Sequence, residues 1–232
     1  MTQTPQVKVG IMNEPTVEFV LNGDYDAQGT VCSGIQTVSC SDDGKIVWNG
    51  KRYTDLLFEP RDAATGTFTL KEVTIGVSFH WHRHENQTFK GSLHLIVEDG
   101  KVTAINVLPV EDYLMSVISS EMSAKASLEL LKAHAVISRS WLLAQIHKPK
   151  DDAVKQSVAI EENTDDEIIK WWDRDDHKNF DVCADDHCQR YQGVTRETTA
   201  TVRQATEATW GQVLMYDGEL CDARFSKSCG GV

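Results

Sequence analysis

Apolar and polar residues alternate through much of the first hundred positions. Val7, Val9 and Ile11 form one such run and Val17, Phe19 and Leu21 another, which is the period of a half-buried strand. Asp43-Gly44, Asn49-Gly50 and Asp99-Gly100 punctuate these runs. Each pair tolerates positive φ between apolar segments, so each predicts a hairpin. The clearest is SLHLIVEDGKVTAINVL, with a strand on either side of Asp99-Gly100.

At Val110 the period changes. In VEDYLMSVISSEM the apolar positions are Val110, Tyr113, Leu114, Val117 and Ile118, the spacing of one helix face. Pro109 precedes it, and Glu111 and Asp112 fall in the first turn, where the helix dipole favours anions. A second helix is predicted from about Ser127, its N-cap, to Ile146, with Leu128, Leu131, Ala135, Leu142 and Ile146 as its apolar stripe. Residues 151–186 hold 13 acidic and 4 basic residues and read mostly as a solvated excursion. A tail follows with a helical stretch near Thr201–Thr209 and a hairpin at Asp217-Gly218. The expected class is α+β: a β-rich N-terminal part over 1–95, then a mixed part over 96–232 with two key helices flanked by strands and an acidic insertion at about 151–186.

Composition narrows the function. The net charge of −12 leaves no cationic sheath for a polyanion, which argues against nucleic acid. No run of roughly 18 apolar residues exists to span a membrane. The first residues, MTQTPQVKVG, have neither the charged n-region nor the apolar h-region of an export signal. The last residues, ELCDARFSKSCGGV, stop on a glycine-rich turn, which predicts further chain beyond Val232.

Several side chains can carry chemistry. Glu121 ends the first helix, one turn beyond Val117 and Ile118, where a carboxyl group can project into a groove and serve as a general acid; the plain alternative is an exposed helix-end glutamate. Lys132 and Arg139 are seven residues apart on the second helix and share a face, with His134 and Ser140 to either side. That face suits an anionic or polyhydroxylated ligand, or simply solubility. His177, Cys183, His187 and Cys188 place two thiolates and two imidazoles within twelve residues, a closed set that suits structural zinc. A Cys183–Cys188 disulfide and a metal-free loop are the alternatives. His80, His82 and His84 share a strand face but have no carboxylate or cysteine partner pinned nearby, so they read as a solvent-facing row. Cys32/Cys40 and Cys221/Cys229 are either two disulfides or free thiols.

The segment LPVEDYLMSVISSEMSAKASLELLKAHAVISRSWLL resembles the core motif of the stage II sporulation protein D / amidase-enhancer family, whose pattern is roughly LP-EDYL-GVV-xEMP followed by LKAQAVAARTYAL. The resemblance continues in VKVGI, FKGSLHLIVEDG, CQRYQGV and WGQVLMYDGELCDARFSKSCGGV, in order, and covers most of residues 90–232. It implies a peptidoglycan lytic transglycosylase, exported to the periplasm or cell envelope. The EM dipeptide assigns the catalytic glutamate to Glu121. Glycan contacts fall on Lys132, Arg139, Ser140, Tyr191, Ser226 and Ser228. Some members carry zinc near the position of the His/Cys set. The amidase-enhancer branch implies a second possibility, a non-catalytic peptidoglycan-binding module that stimulates a cell-wall amidase. The chain departs from the pattern at Ser123 for proline, His134 for glutamine, Arg139-Ser140-Trp141 for RTY, and Ser226-Lys227-Ser228-Cys229-Gly230-Gly231 for HSxSGG.

Overall fold

A computed structural model describes residues 5–76, 82–147, 177–195 and 199–224. It is an α+β protein. Strands β1 (Gln6–Glu14), β2 (Thr16–Ala27), β3 (Thr30–Cys40), β4 (Ile46–Trp48), β5 (Lys51–Tyr53), β6 (Asp55–Pro60), β7 (Thr67–Ile75), β8 (Arg83–Lys90), β9 (Ser92–Glu98) and β10 (Lys101–Pro109) come first. Helices α1 (Val110–Glu121) and α2 (Leu128–His147) follow. Then come β11 (Val182–Cys183), a short 3-10 turn at Gly193–Thr195, α3 (Ala200–Ala208) and the hairpin β12 (Met215–Tyr216) and β13 (Glu219–Leu220).

Ten strands and β11 make one sheet in the order β11-β1-β10-β9-β6-β2-β3-β4-β5, with β7 bridging β2 and β8. Pairing is antiparallel throughout, except that β11 runs parallel to β1. The sheet therefore joins the first strand to the segment that carries Cys183. Along β2 the inward set is Val17, Phe19, Leu21, Tyr25 and Ala27, all buried. In β7 the parity flips: Phe68 and Leu70 are buried, then Val73 and Ile75. A bulge between Leu70 and Val73, with Glu72 at φ 53°, supplies the extra residue that keeps both halves facing the core. The alternating runs of the sequence do not reveal it.

The predicted hairpins at Asn49-Gly50, Asp99-Gly100 and Asp217-Gly218 join β4 to β5, β9 to β10 and β12 to β13. Both residues of each pair have positive φ, the turn that matches strand twist. Helix α1 begins directly after β10, at Pro109, and buries Val110, Tyr113, Leu114, Val117 and Ile118. Helix α2 starts after Ser127, whose hydroxyl accepts from the Leu130 amide at 3.4 Å. Thr199 caps α3 by accepting from the Val202 amide at 3.3 Å.

The alternatives left open for the cysteines are decided in part. Cys32 and Cys40 lie on the same strand, β3, and both are free thiols. Eight residues of extended chain separate them by about 26 Å, whereas a disulfide needs Cα atoms within about 7 Å. Cys221 is also free, and Cys229 lies outside the described residues.

The turn at Gly193 ties the segment after β11 to β8. Gly193 has φ +58°, and an added Cβ would sit on the Thr88 carbonyl oxygen and 2.6 Å from the Phe89 ring. The left-handed backbone disfavours any L side chain, and neither β8 nor a core ring can yield. Gly193→Ala is therefore expected to cost about 2–3 kcal/mol of stability, read as a lower urea midpoint with an unchanged slope.

Candidate functional site

Glu121 is the last residue of α1. Its Oε1 accepts a hydrogen bond from the Arg190 main-chain N–H at 2.6 Å. Helix and partner meet because residues 189–193 run as irregular backbone beside α1. Tyr113 donates its hydroxyl to Gln189 Oε1 at 3.2 Å, and Gln189 Nε2 donates to the Ser138 carbonyl of α2 at 3.3 Å. Ser116 donates to the Gly193 carbonyl at 2.8 Å and accepts from the Gln192 amide at 3.2 Å. The Tyr191 hydroxyl donates to Asn106 Oδ1 at 2.6 Å, and its ring stacks on Tyr113 at 5.0 Å. Burial raises the Tyr113 and Tyr191 phenols well above the ordinary tyrosine range, so both act as neutral donors.

The same segment begins at the His/Cys set. His177, Cys183, His187 and Cys188 bring their donor atoms within 4.8 Å of one another. Cys183 Sγ lies 3.4 Å from Cys188 Sγ and 4.0 Å from His187 Nδ1; Cys188 Sγ lies 3.4 Å from His177 Nε2 and 3.5 Å from His187 Nδ1. A tetrahedral zinc with ordinary bond lengths needs edges of about 3.8 Å between sulfurs and about 3.6 Å between sulfur and nitrogen. The donor set fits a metal ion. The Cys183 thiol is held well below its ordinary value, first by the Cys188 thiol and then by His177, which favours the thiolate that a metal requires.

The sheet holds this loop. Cys183 pairs with Gly10, the Ala184 amide donates to the Gly10 carbonyl at 2.9 Å, and the Lys8 amide donates to Asp181 Oδ2 at 2.9 Å. The Phe180 ring occupies the space above Gly10 that a Cβ would need, 2.6 Å away, and stacks on His177 at 4.4 Å. Glycine at position 10 thus lets the loop lie against β1. The histidine row makes no comparable cluster among the described residues: His82 and His84 are exposed, and His80 lies outside them.

The other expected glycan contacts are placed differently. Lys132 is at the surface and pairs with Glu129 at 2.8 Å. Arg139 is only 1% exposed. Its Nε and Nη2 donate to the two carboxylate oxygens of Glu111 at 2.8 and 2.7 Å, and Nη1 donates to the Gln212 carbonyl at 3.1 Å. The picture of Lys132 and Arg139 as one open cationic face is thereby corrected. They share an angular face, but two turns along α2 that face is covered by the first turn of α1 and by the chain after α3. Ser140 is likewise buried, donating to the Val136 carbonyl at 2.6 Å and accepting from the Leu214 amide at 2.8 Å. Ser226 and Ser228 lie outside the described residues.

Tyr191 lines a cleft of 280 Å³ together with Lys90, Asp112, Met115, Gly193 and Arg203. Lys90 Nζ lies 3.8 Å from Asp112 Oδ1. These cations escaped sequence reading because Lys90 ends a strand and Arg203 sits on a different helix, so no spacing links them. The Arg190 N–H escaped it because a main-chain donor leaves no residue signature.

The arrangement offers a carboxyl group fixed by the protein, beside a structural cluster able to hold a metal. Residues 98–216 match the model of the stage II sporulation protein (SpoIID) family. The chain belongs to that family. It is also 27% identical over 143 residues to an uncharacterised protein of Brachyspira hyodysenteriae (strain ATCC 49526 / WA1), a match that covers 62% of this chain and 32% of that relative. The chain thus spans about a third of that relative's length. Family membership supports a role connected with the cell wall. Among the described residues no helix is long and apolar enough to cross a membrane.

His134, where the family pattern has glutamine, is 3% exposed. Burial pushes its imidazole down to about 4. The unfolded chain, with a value near 6.5, binds more protons between these limits, so stability falls as pH drops from about 6.5 toward 4. The loss from this group amounts to about 3 kcal/mol. His134→Gln should flatten the pH dependence of the urea midpoint in that window relative to wild type, and equal slopes in the two proteins would refute the assignment.

Proposed function

We propose that this SpoIID-family chain is an exported peptidoglycan lytic transglycosylase, with Glu121 as its single general acid/base. The observation that carries the reading is the placement of Glu121. It stands at the end of α1, in the EM dipeptide of the family motif, with its carboxylate held by the main-chain N–H of Arg190.

One carboxyl group suffices if the substrate supplies the nucleophile. Ordinary glycosidases use a second carboxylate for that task or to activate water. A muramic acid unit carries a C6 hydroxyl of its own. Glu121 protonates the glycosidic oxygen as its bond to C1 breaks, and then, as a carboxylate, takes the proton of the C6 hydroxyl while that oxygen bonds to C1. The products are a 1,6-anhydro-muramic end and a free hydroxyl on the neighbouring glucosamine, with no water consumed. Because the nucleophile is intramolecular, proximity lowers much of the barrier. Lys132 and the cleft lined by Lys90, Tyr191 and Arg203 are the candidate contacts along the strand, and Ser226 and Ser228 are further candidates by resemblance alone. Residues 96–232 form the catalytic part and 1–95 the β-rich part that supports it.

We further infer that His177, Cys183, His187 and Cys188 hold zinc in a structural role. Four protein ligands close a tetrahedral shell, and the metal then supplies cross-linking of the loop. Removal of the metal by a chelator should raise amide hydrogen exchange across 177–193 before the rest of the sheet responds. Metal analysis of the protein purified without chelator should find about one zinc per chain. A metal-free protein with two fewer titratable thiols would show a Cys183–Cys188 disulfide in its place.

Glu121→Gln should fold as wild type does and lose at least ~10²-fold in release of anhydro-muropeptides from purified peptidoglycan, followed by mass spectrometry. Near-normal release by that variant would remove Glu121 from its role. A wild-type protein that binds glycan, releases no anhydro ends and stimulates a cell-wall amidase would be a binding module instead.

A further inference from the structure

We infer that the main-chain N–H of Arg190 is the positioning group of Glu121, and that it divides the labour between the two carboxyl oxygens. Oε1 is the anchored atom and Oε2 the atom that gives and retrieves the proton. This rests on the transglycosylase reading and adds to it the atom at which the chemistry occurs.

Arg190 N–H reaches Glu121 Oε1 at 2.6 Å, across 69 positions of sequence. When the carboxyl group is protonated, an oxygen that accepts from an N–H is best occupied as the carbonyl oxygen. The proton is then carried on Oε2.

The C-terminal end of a helix presents unpaired carbonyls and a partial negative charge, which disfavours a carboxylate. No basic residue stands in the last turn of α1. A main-chain donor aimed at the carboxylate offsets that unfavourable placement.

Either side of Arg190 is pinned: Gln189 by Tyr113 and Ser138, Tyr191 by Asn106 and by its own amide to the Ala184 carbonyl at 3.0 Å, Gln192 and Gly193 by Ser116. The donor therefore needs no reorganisation as charge returns to the carboxylate, which is the condition for efficient electrostatic support. Proton and electron bookkeeping is that of the parent reaction. The proton leaves Oε2 for the departing glycosidic oxygen, the C6 oxygen bonds to C1, and the C6 hydroxyl proton returns to Oε2.

The test removes only the N–H. An amide-to-ester exchange at Arg190, with the α-hydroxy analogue of arginine incorporated in the full chain, deletes the donor and keeps the side chain. Turnover of purified glycan strands should fall at least ~10-fold in kcat, with KM moving less than about twofold and metal content unchanged. Arg190→Pro deletes the same N–H and serves as a second route to it. As a measurement independent of turnover, the Arg190 amide should be protected from hydrogen exchange in wild type and exchange at least ~10-fold faster in Glu121→Ala. Unchanged kcat in the ester variant, or equal Arg190 exchange in Glu121→Ala and wild type, overturns the positioning role alone. A wild-type protein that releases no anhydro ends overturns the reaction, and this role with it.

Discussion

Irregular backbone is costly to bury, because every N–H and C=O taken from water must find a partner. Residues 189–193 are such a stretch: Gln189, Tyr191 and Gln192 are each almost fully buried. Ser116 of α1 serves the Gln192 N–H and the Gly193 carbonyl, Glu121 the Arg190 N–H and the Ala184 carbonyl the Tyr191 N–H, while Tyr113, Ser138 and Asn106 partner the buried side chains of Gln189 and Tyr191. The need to satisfy this segment explains why Ser116 stands among the buried apolar residues of α1. It also brings the end of α1 to a fixed distance from a chain that arrives from the far edge of the sheet.

A buried ion pair plays the matching part on the other side of the helix pair. Glu111 and Arg139 form a two-toothed fork with side-chain exposures of 7% and 1%. Such a pair adds little net stability over apolar residues of the same size, but removal of one partner strands a charge. Its third contact, from Arg139 to the Gln212 carbonyl, and the Ser140 contact to Leu214 dock the chain beyond α3. Glu111 gains from its place in the first turn of α1, where the dipole favours an anion. Polar side chains that a motif suggests for ligand contact thus perform assembly here.

The His/Cys cluster and the carboxyl group are two ends of one construction. Gly10 admits Phe180, Phe180 stacks on His177, and Cys188 stands two residues before the amide that reaches Glu121. A metal bound at the cluster would limit the freedom of the segment at its start, while Gly193 and Ser116 limit it at its end. A site built in this way draws its geometry from rigid elements on both sides rather than from a free loop.

Local pattern was enough for the strands at Val7–Ile11, at Val17–Leu21 and on either side of Asp99-Gly100, the hairpins at Asn49-Gly50, Asp99-Gly100 and Asp217-Gly218, the spans of α1, α2 and α3, and the donor types of the His/Cys set, because each depends on neighbours in sequence. The motif around Glu121 also marked that residue by resemblance. Tertiary structure decided what required distant chain. It separated Cys32 from Cys40 along one strand, a distance that composition does not convey. It buried Arg139 although Lys132, on the same angular face, stays at the surface, since helical period specifies direction and not what lies there. It inserted the β7 bulge, and it supplied Glu121 with a main-chain donor. A backbone N–H is common to nearly every residue, so only the packing that aims it can distinguish Arg190 from the rest.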